Sequence, residues 1–202
     1  MPVLNGDSEK ESFDAKIMLE QSVLNSVMCS DPYVKTAFFI KLIDLLDLPT
    51  VYLDFDLLYS GYFGAKIIPK HDRLELFQPT RDNWNDLFRD VVTSVSKQRS
   101  LLILDSLNGF FSLFYNKKDV GMFVNSCIML MSATAKMTDS RIVVASMAKK
   151  EDQGWVLSTI GRQIIDAKNM TKMHLELENS EIKIDAISKD ALYVIPIDFE
   201  LR

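Results

Sequence analysis

A wound α/β fold, with a mostly parallel sheet, helices on both faces and C-terminal antiparallel strands, is the class this sequence predicts. Three observations carry it. Short apolar runs, "TVYLDF" at 50–55, "SLLILD" at 100–105 and "RIVVAS" at 141–146, have the pattern of strands buried on both faces of a parallel sheet. Segments with helical periodicity separate them, and such alternation specifies wound βαβ units. From residue 172 the pattern becomes period-two in "KMHLELE", "EIKIDAI" and "ALYVIPI", joined by "NS" and "SKD", which predicts an antiparallel meander.

The elements follow in order. Residues 1–12 are polar and read as a flexible tail. "KIMLEQSVLNSVM" at 16–28 reads as a helix followed by a short strand around Val23 to Met28, although periodicity does not decide between the two. Pro32 suits the start of a helix and Pro49 stops one, so "YVKTAFFIKLIDLLDL" is a helix, apolar on most sides and sandwiched inside the fold. "TVYLDF" is a strand running into Asp54 and Asp56. After a variable segment containing Gly61 and Gly64 comes a short strand, "LELFQ" at 74–78. A helix from about Asp82 to Gln98 places Trp84, Leu87, Phe88, Val91, Val92 and Val95 on one side. Beyond "SLLILD", a helix over roughly Asp119 to Ala135 turns Phe123, Cys127 and Met131 inward, and "RIVVAS" is the last buried strand.

With 202 residues, 48% of them hydrophobic, the chain suffices for one core, so residues 13–202 form a single domain. Acidic residues outnumber basic ones 28 to 23, a net charge of −5, and the averaged field repels phosphodiester backbones and anionic lipid. The "NGDSEKES" stretch lacks the apolar core of a secretory signal, and no apolar run reaches the roughly 18 residues of a membrane span. A cytoplasmic protein without membrane contact is expected, and two cysteines, Cys29 and Cys127, fit a reducing compartment. His71 and His174 belong to no run with metal-ligand spacing, so no metal site is predicted. There is no G-x-S-x-G. The ten methionines, dense around "CIMLMSATAKM", read as flexible core filling.

The motif of most interest is "CSDPYVKT" at 29–36, which has the Lys-Thr ending of a phosphate-binding loop and none of its glycines. With "YLDFD", "LLILDSLNGF" and "GRQIIDAKNMTKMHLEL" following in order, the chain from about Val23 to Phe199 resembles the core ATPase domain of the RecA superfamily. That group includes the archaeal RadA recombinase, the KaiC-like ATPases and the RecA-like subunits of Elongator. The resemblance implies that Cys29 and Val34 stand where the phosphate loop has glycine. Lys35 and Thr36 match its lysine and magnesium-binding hydroxyl. Asp56 is a vestige of the water-activating glutamate, and Asp105 is the Walker B aspartate.

A phosphate loop works because successive backbone N–H groups converge on the phosphate at a helix N-terminus. Val34 disfavours the positive φ that glycine supplies. Pro32 has no N–H to offer, and Asp31 brings a negative charge to the site. Binding of ATP and magnesium is therefore not expected, and the simpler reading makes Lys35 and Thr36 an ordinary first helical turn with Lys35 solvated. In the same way Asp105 reads as a cap for a helix starting near Ser106, and Asp54 and Asp56 as turn residues.

Two basic pairs, Lys117 and Lys118 after "SLLILD" and Lys149 and Lys150 after "RIVVAS", fall where RecA-like assemblies project loops. Together with Phe114, Tyr115 and Trp155 they are candidates for nucleic-acid contact through phosphate and stacking. A solvated loop end, with Glu151 and Asp152 offsetting the charge, is the plainer reading. Arg162 would act on a neighbouring subunit or sit in a surface salt bridge. The function implied is a non-catalytic RecA-fold paralogue, a structural or regulatory subunit of a ring, filament or hetero-complex with other RecA-fold chains, linked to DNA recombination and repair or to tRNA modification. The alternative is a divergent ATPase that holds MgATP through Lys35, Thr36, Asp56 and Asp105.

Overall fold

The computed structural model describes residues 11–12, 18–19, 21–151, 154–157, 170–186 and 191–196. In chain order the elements are β1 (Glu11–Ser12), β2 (Leu24–Cys29), α1 (Pro32–Leu46), β3 (Thr50–Asp54), α2 (Leu58–Gly64), β4 (Leu74–Phe77), α3 (Trp84–Lys97), β5 (Leu101–Asp105), α4 (Leu107–Leu113), α5 (Val120–Met137), β6 (Arg141–Glu151), β7 (Gly154–Leu157), β8 (Thr171–Glu178), β9 (Glu181–Ala186) and β10 (Ala191–Pro196).

One mixed sheet runs in the order β1-β10-β9-β8-β2-β6-β5-β3-β4, with β7 paired to β6 off that path. From β8 to β4 every neighbouring pair is parallel. The β8–β9–β10 meander is antiparallel, as the alternation predicts, and Glu11 and Ser12, from the end of the predicted tail, pair with β10. The central strands are buried on both sides because period-two alternation sends their side chains to two cores. Leu101, Ile103, Val143 and Ala145 pack beneath α1, whereas Leu102, Leu104, Ile142 and Val144 pack beneath α3, α4 and α5. Helices thus cover both faces, and each fully buried Leu, Ile or Val stabilises the fold by about 1.5–3 kcal/mol.

Local sequence sets the helix ends. Pro32 occupies the first turn of α1, and the Asp31 carboxylate caps it by accepting from the Tyr33 N–H at 2.8 Å. Helix α3 buries Trp84, Leu87, Val91 and Val95 as its spacing requires. Three segments depart from expectation. The variable stretch after Asp56 forms α2. The helix expected near Ser106 is present as α4, but its cap is Ser106, which accepts from the Gly109 N–H at 3.2 Å, so Asp105 is free for another role. Strand β6 continues past residue 146 to Glu151 and turns into β7, so Lys149 and Lys150 stand within a hairpin strand and not in a loop after it.

The methionine reading holds for Met131, which is buried, and fails for Met122, Met129 and Met137, which are exposed. Helix α5 is apolar nearly all round, so its periodicity does not say which stripe faces the sheet.

Candidate functional site

Strands β2, β3 and β5 all end at the same edge of the sheet, where α1 begins. The connection from β2 to α1 is only Ser30 and Asp31. Pro32, Tyr33 and Val34, which a phosphate loop would use to wrap an anion, are instead the first turn of α1. Their backbone donors are largely accounted for: Pro32 has none, Tyr33 donates to the Asp31 side chain, and Lys35 donates to the Asp31 carbonyl at 3.2 Å. The segment is the capped first turn of a helix.

Starting the helix at Pro32 carries Lys35 one turn in, where it is 1% exposed. Its Nζ lies 2.8 Å from Asp56 Oδ2 and also contacts Asp105 Oδ1. The expectation of a solvated lysine is overturned. The reason lies in tertiary packing: β2, β5 and β3 end at one edge of the sheet, so Lys35, in the first turn of the helix that follows β2, meets Asp105 at the end of β5 and Asp56 just beyond β3. Thr36 is fully buried and donates to the Pro32 carbonyl at 3.0 Å, an intrahelical bond that occupies its hydroxyl.

Asp105 is fully buried and accepts from the Tyr52 hydroxyl at 2.6 Å on its Oδ2. It is not a helix cap, since Ser106 performs that function. Burial pushes its carboxyl up to about 6, with Lys35 and Tyr52 holding it down in part. Burial also opposes the charge of Lys35, but Asp105 and Asp56 outweigh that cost and hold the ammonium above its ordinary range. Burial together with the neighbouring Asp105 carboxylate raises the Tyr52 phenol well above its usual value. The site is therefore a self-paired charge network, with one ammonium shared by two carboxylates and one phenol donating to the deeper of them.

Asp54 and Asp56 are not simple turn residues. Asp54 is fully buried, accepts from the Ser60 N–H at 2.7 Å, and is pushed up by burial despite that bond. Asp56 is part-exposed, and its backbone is held by β5: the Phe55 and Asp56 N–H groups both reach the Asp105 carbonyl, at 2.6 and 3.3 Å. Cys29, beneath the lysine, is buried, and burial pushes its thiol up to about 12, so it carries no thiolate chemistry.

Gly109 is the functional residue that sequence reading missed, although it stands in the quoted "LLILDSLNGF". A Cβ there would come within 2.5 Å of Asp56 Oδ1 and 2.7 Å of Phe55 Cβ. Only glycine lets α4 approach the end of β3 this closely. The same helix is tied to the sheet by the Met147 N–H, which donates to Asn108 Oδ1 at 2.9 Å, and by stacking of Phe110 on Phe55 at 4.6 Å. Gly109→Ala is expected to lower stability by about 1–3 kcal/mol, the usual cost of overpacking, and thermal melting at neutral pH would read the loss.

The basic pairs lie elsewhere. Lys117 and Lys118 occupy the turn between α4 and α5, with Lys117 Nζ 4.0 Å from the centre of the Phe123 ring. Tyr115 is 67% exposed beneath the Arg81 guanidinium, 4.8 Å from its ring centre. Lys149 is exposed in β6. Phe114 packs on Trp84 and Phe123 in the aromatic core, so it is not a stacking platform. Arg162 and the side chains of Lys150 and Trp155 lie outside the described residues. His71 sits beside Asp44 at 3.3 Å and His174 beside Asp185 at 4.0 Å. Of the residues singled out by the motifs, Lys35, Asp56 and Asp105 come together directly, with Thr36 one position along α1. Compared with protein-family models and with curated proteins, the chain matches none.

Proposed function

We propose that this chain is a non-catalytic RecA-like paralogue, a structural or regulatory subunit whose phosphate site is filled by its own side chains. The observation that carries the reading is the Lys35 ammonium, buried between Asp56 and Asp105. A lysine that binds a phosphoryl group must present an unneutralised charge beside convergent N–H donors. Here the charge has two internal counter-ions, and the helix N-terminus has its own carboxylate cap. An incoming triphosphate would have to displace a carboxylate from Lys35 while standing close to Asp31, Asp56 and Asp105. Each of those encounters is repulsive.

The wound parallel sheet, with a lysine helix and an aspartate-ended strand meeting at one edge, supports the RecA-like part of the reading. The resemblance then implies partners of the same fold, in a ring, filament or hetero-complex. One observation favours the alternative, a divergent ATPase: Lys35, Asp56 and Asp105 meet at one point, and Asp56 is 29% exposed, so the network is open on one side. Calorimetric titration with MgATP separates the two. The expected result is no saturable heat into the millimolar range. Saturable binding that disappears in Lys35→Ala would overturn the non-catalytic reading and put the ATPase in its place.

A further inference from the structure

Two helices lie side by side on the face of the sheet away from α1, and their solvent surfaces are unlike. Helix α3 turns Asp86, Arg89, Asp90 and Lys97 outward, the usual charged face of an amphipathic helix. Its neighbour α5 exposes Met122, Met129, Leu130 and Met137, by 68, 48, 50 and 86%. Ser126 and Ala133, also exposed, lie between them. The opposite stripe, including Val124, Ile128, Met131 and Ala135, is anchored in the core. No charged residue occurs from Val120 to Ala135. Charge returns on the outward face only at its ends, with Asp119 just before the first turn and Lys136 in the last.

We infer that α5 is the contact helix of a symmetric homodimer and packs antiparallel against α5 of a second copy. The spacing is self-complementary. At about 100° per residue, Asp119, Met122, Ser126, Met129, Ala133 and Lys136 share one outward face. A two-fold axis midway between Ser126 and Met129 then brings three kinds of pair together at once, because all three have the same midpoint in sequence. Met122 meets the second copy's Ala133, Met129 meets its Ser126, and Asp119 meets its Lys136. Each long thioether faces a small side chain, a methyl or a hydroxymethyl group, which permits close ridge-in-groove approach, and each end carries an attractive pair.

The second copy suits this face better than a membrane does. By length and composition alone α5 would span a bilayer, yet one whole stripe of it is committed to the protein core. A helix lying on lipid would carry lysine or arginine along the flanks of its apolar face, and α5 is uncharged there. The helix extends about 27 Å, and a face of that size falls below the roughly 800 Å² per partner of a standard interface. The dimer is therefore reversible, with dissociation in about the micromolar range. It uses the sheet face remote from Lys35 and stands whether or not that site takes nucleotide.

Sedimentation velocity on the full chain over a wide concentration range tests the inference. Wild type is expected to move from the 23.1 kDa monomer toward twice that mass. Met129→Glu should stay monomeric at every concentration with an unchanged melting temperature. Lys136→Glu should weaken the dimer about tenfold by replacing attraction with repulsion at both ends, and adding Asp119→Lys should restore it. Because the native cysteines are buried, engineered ones report the geometry. Oxidised Met122→Cys/Ala133→Cys should run as a covalent dimer, and Met122→Cys alone should not. A wild type that is monomeric up to millimolar concentration would overturn the inference. So would cross-linking by Met122→Cys alone, or flotation of the monomer with anionic vesicles that Met129→Glu abolishes, which would assign the face to lipid.

Discussion

Lys35→Met is expected to lower the stability of the fold by about 3–5 kcal/mol at pH 7, the cost of leaving a buried carboxylate without its counter-ion. Methionine matches the stem of lysine, so packing within α1 is nearly kept and the loss is electrostatic. Asp56 has solvent to turn to, whereas Asp105 is fully buried and, among the described residues, keeps the Tyr52 hydroxyl as its side-chain donor. Removing the remaining buried charge should therefore recover much of the loss. The double variant Lys35→Met/Asp105→Asn is expected to be more stable than Lys35→Met, as replacement of a whole buried pair costs far less than breaking one. Urea unfolding of the four proteins in this cycle gives the coupling directly. A Lys35→Met variant within about 1 kcal/mol of wild type would mean that the ammonium is not the counter-ion of Asp105, because surface lysines cost no more than that.

Acid should strengthen wild type relative to Asp105→Asn. In the fold Asp105 is pushed up to about 6 from an ordinary 3.8. Between those values the native protein holds a proton that the unfolded chain has released, so the contribution of this group to stability is fully present below about pH 4. It is lost as pH rises through about 6. Asparagine has nothing to titrate. The difference in unfolding free energy, wild type minus Asp105→Asn, is thus expected to be greater at pH 4 than at pH 7, by an amount of the order of 3 kcal/mol. Other titrating groups are common to both proteins and largely cancel. Denaturant melts at a series of pH values would read the curve, and a difference that grows toward neutral pH would show that Lys35 outweighs burial at Asp105. Lys35 itself does not enter this window: its ammonium is held above the ordinary range, so its stabilising contribution persists through neutral pH and fades only in strong alkali.

Much of the fold was legible because parallel strands declare themselves. A strand buried on both faces must be apolar at every position, and "LLIL" before Asp105 and "IVVA" after Arg141 obey that rule. The meander was legible for the opposite reason, since one half-covered face leaves a period of two. What was not legible is instructive. Helix α2 has seven residues, two of them glycine, too short for a periodicity to form. Strand β6 runs on to Glu151 because β7 pairs with its far half, and no local pattern announces how far an edge continues. In α5 the apolar residues surround the axis, so membership of the core was assigned to methionines that stand in solvent.

The candidate site divides along the same line. Sequence by itself determined that a helix starts at Pro32 and stops before Pro49, that an aspartate stands before it, and that two buried strands run into Asp56 and Asp105. It also determined the absence of glycine from "CSDPYVKT", and with it the loss of the positive-φ positions a phosphate-wrapping loop needs. Only the tertiary structure decided what Lys35 does. In an isolated helix a lysine at the fourth position is free to extend into water, because nothing nearby in sequence competes for its charge. The order β2-β6-β5-β3 and the packing of α1 on the sheet place two carboxylates at the end of its stem and exclude solvent from the deeper one. Under those conditions a 332/(εr) attraction that is minor in water becomes a dominant local term. Charge pairing of this kind depends on distance and dielectric, and those are properties of the packed chain.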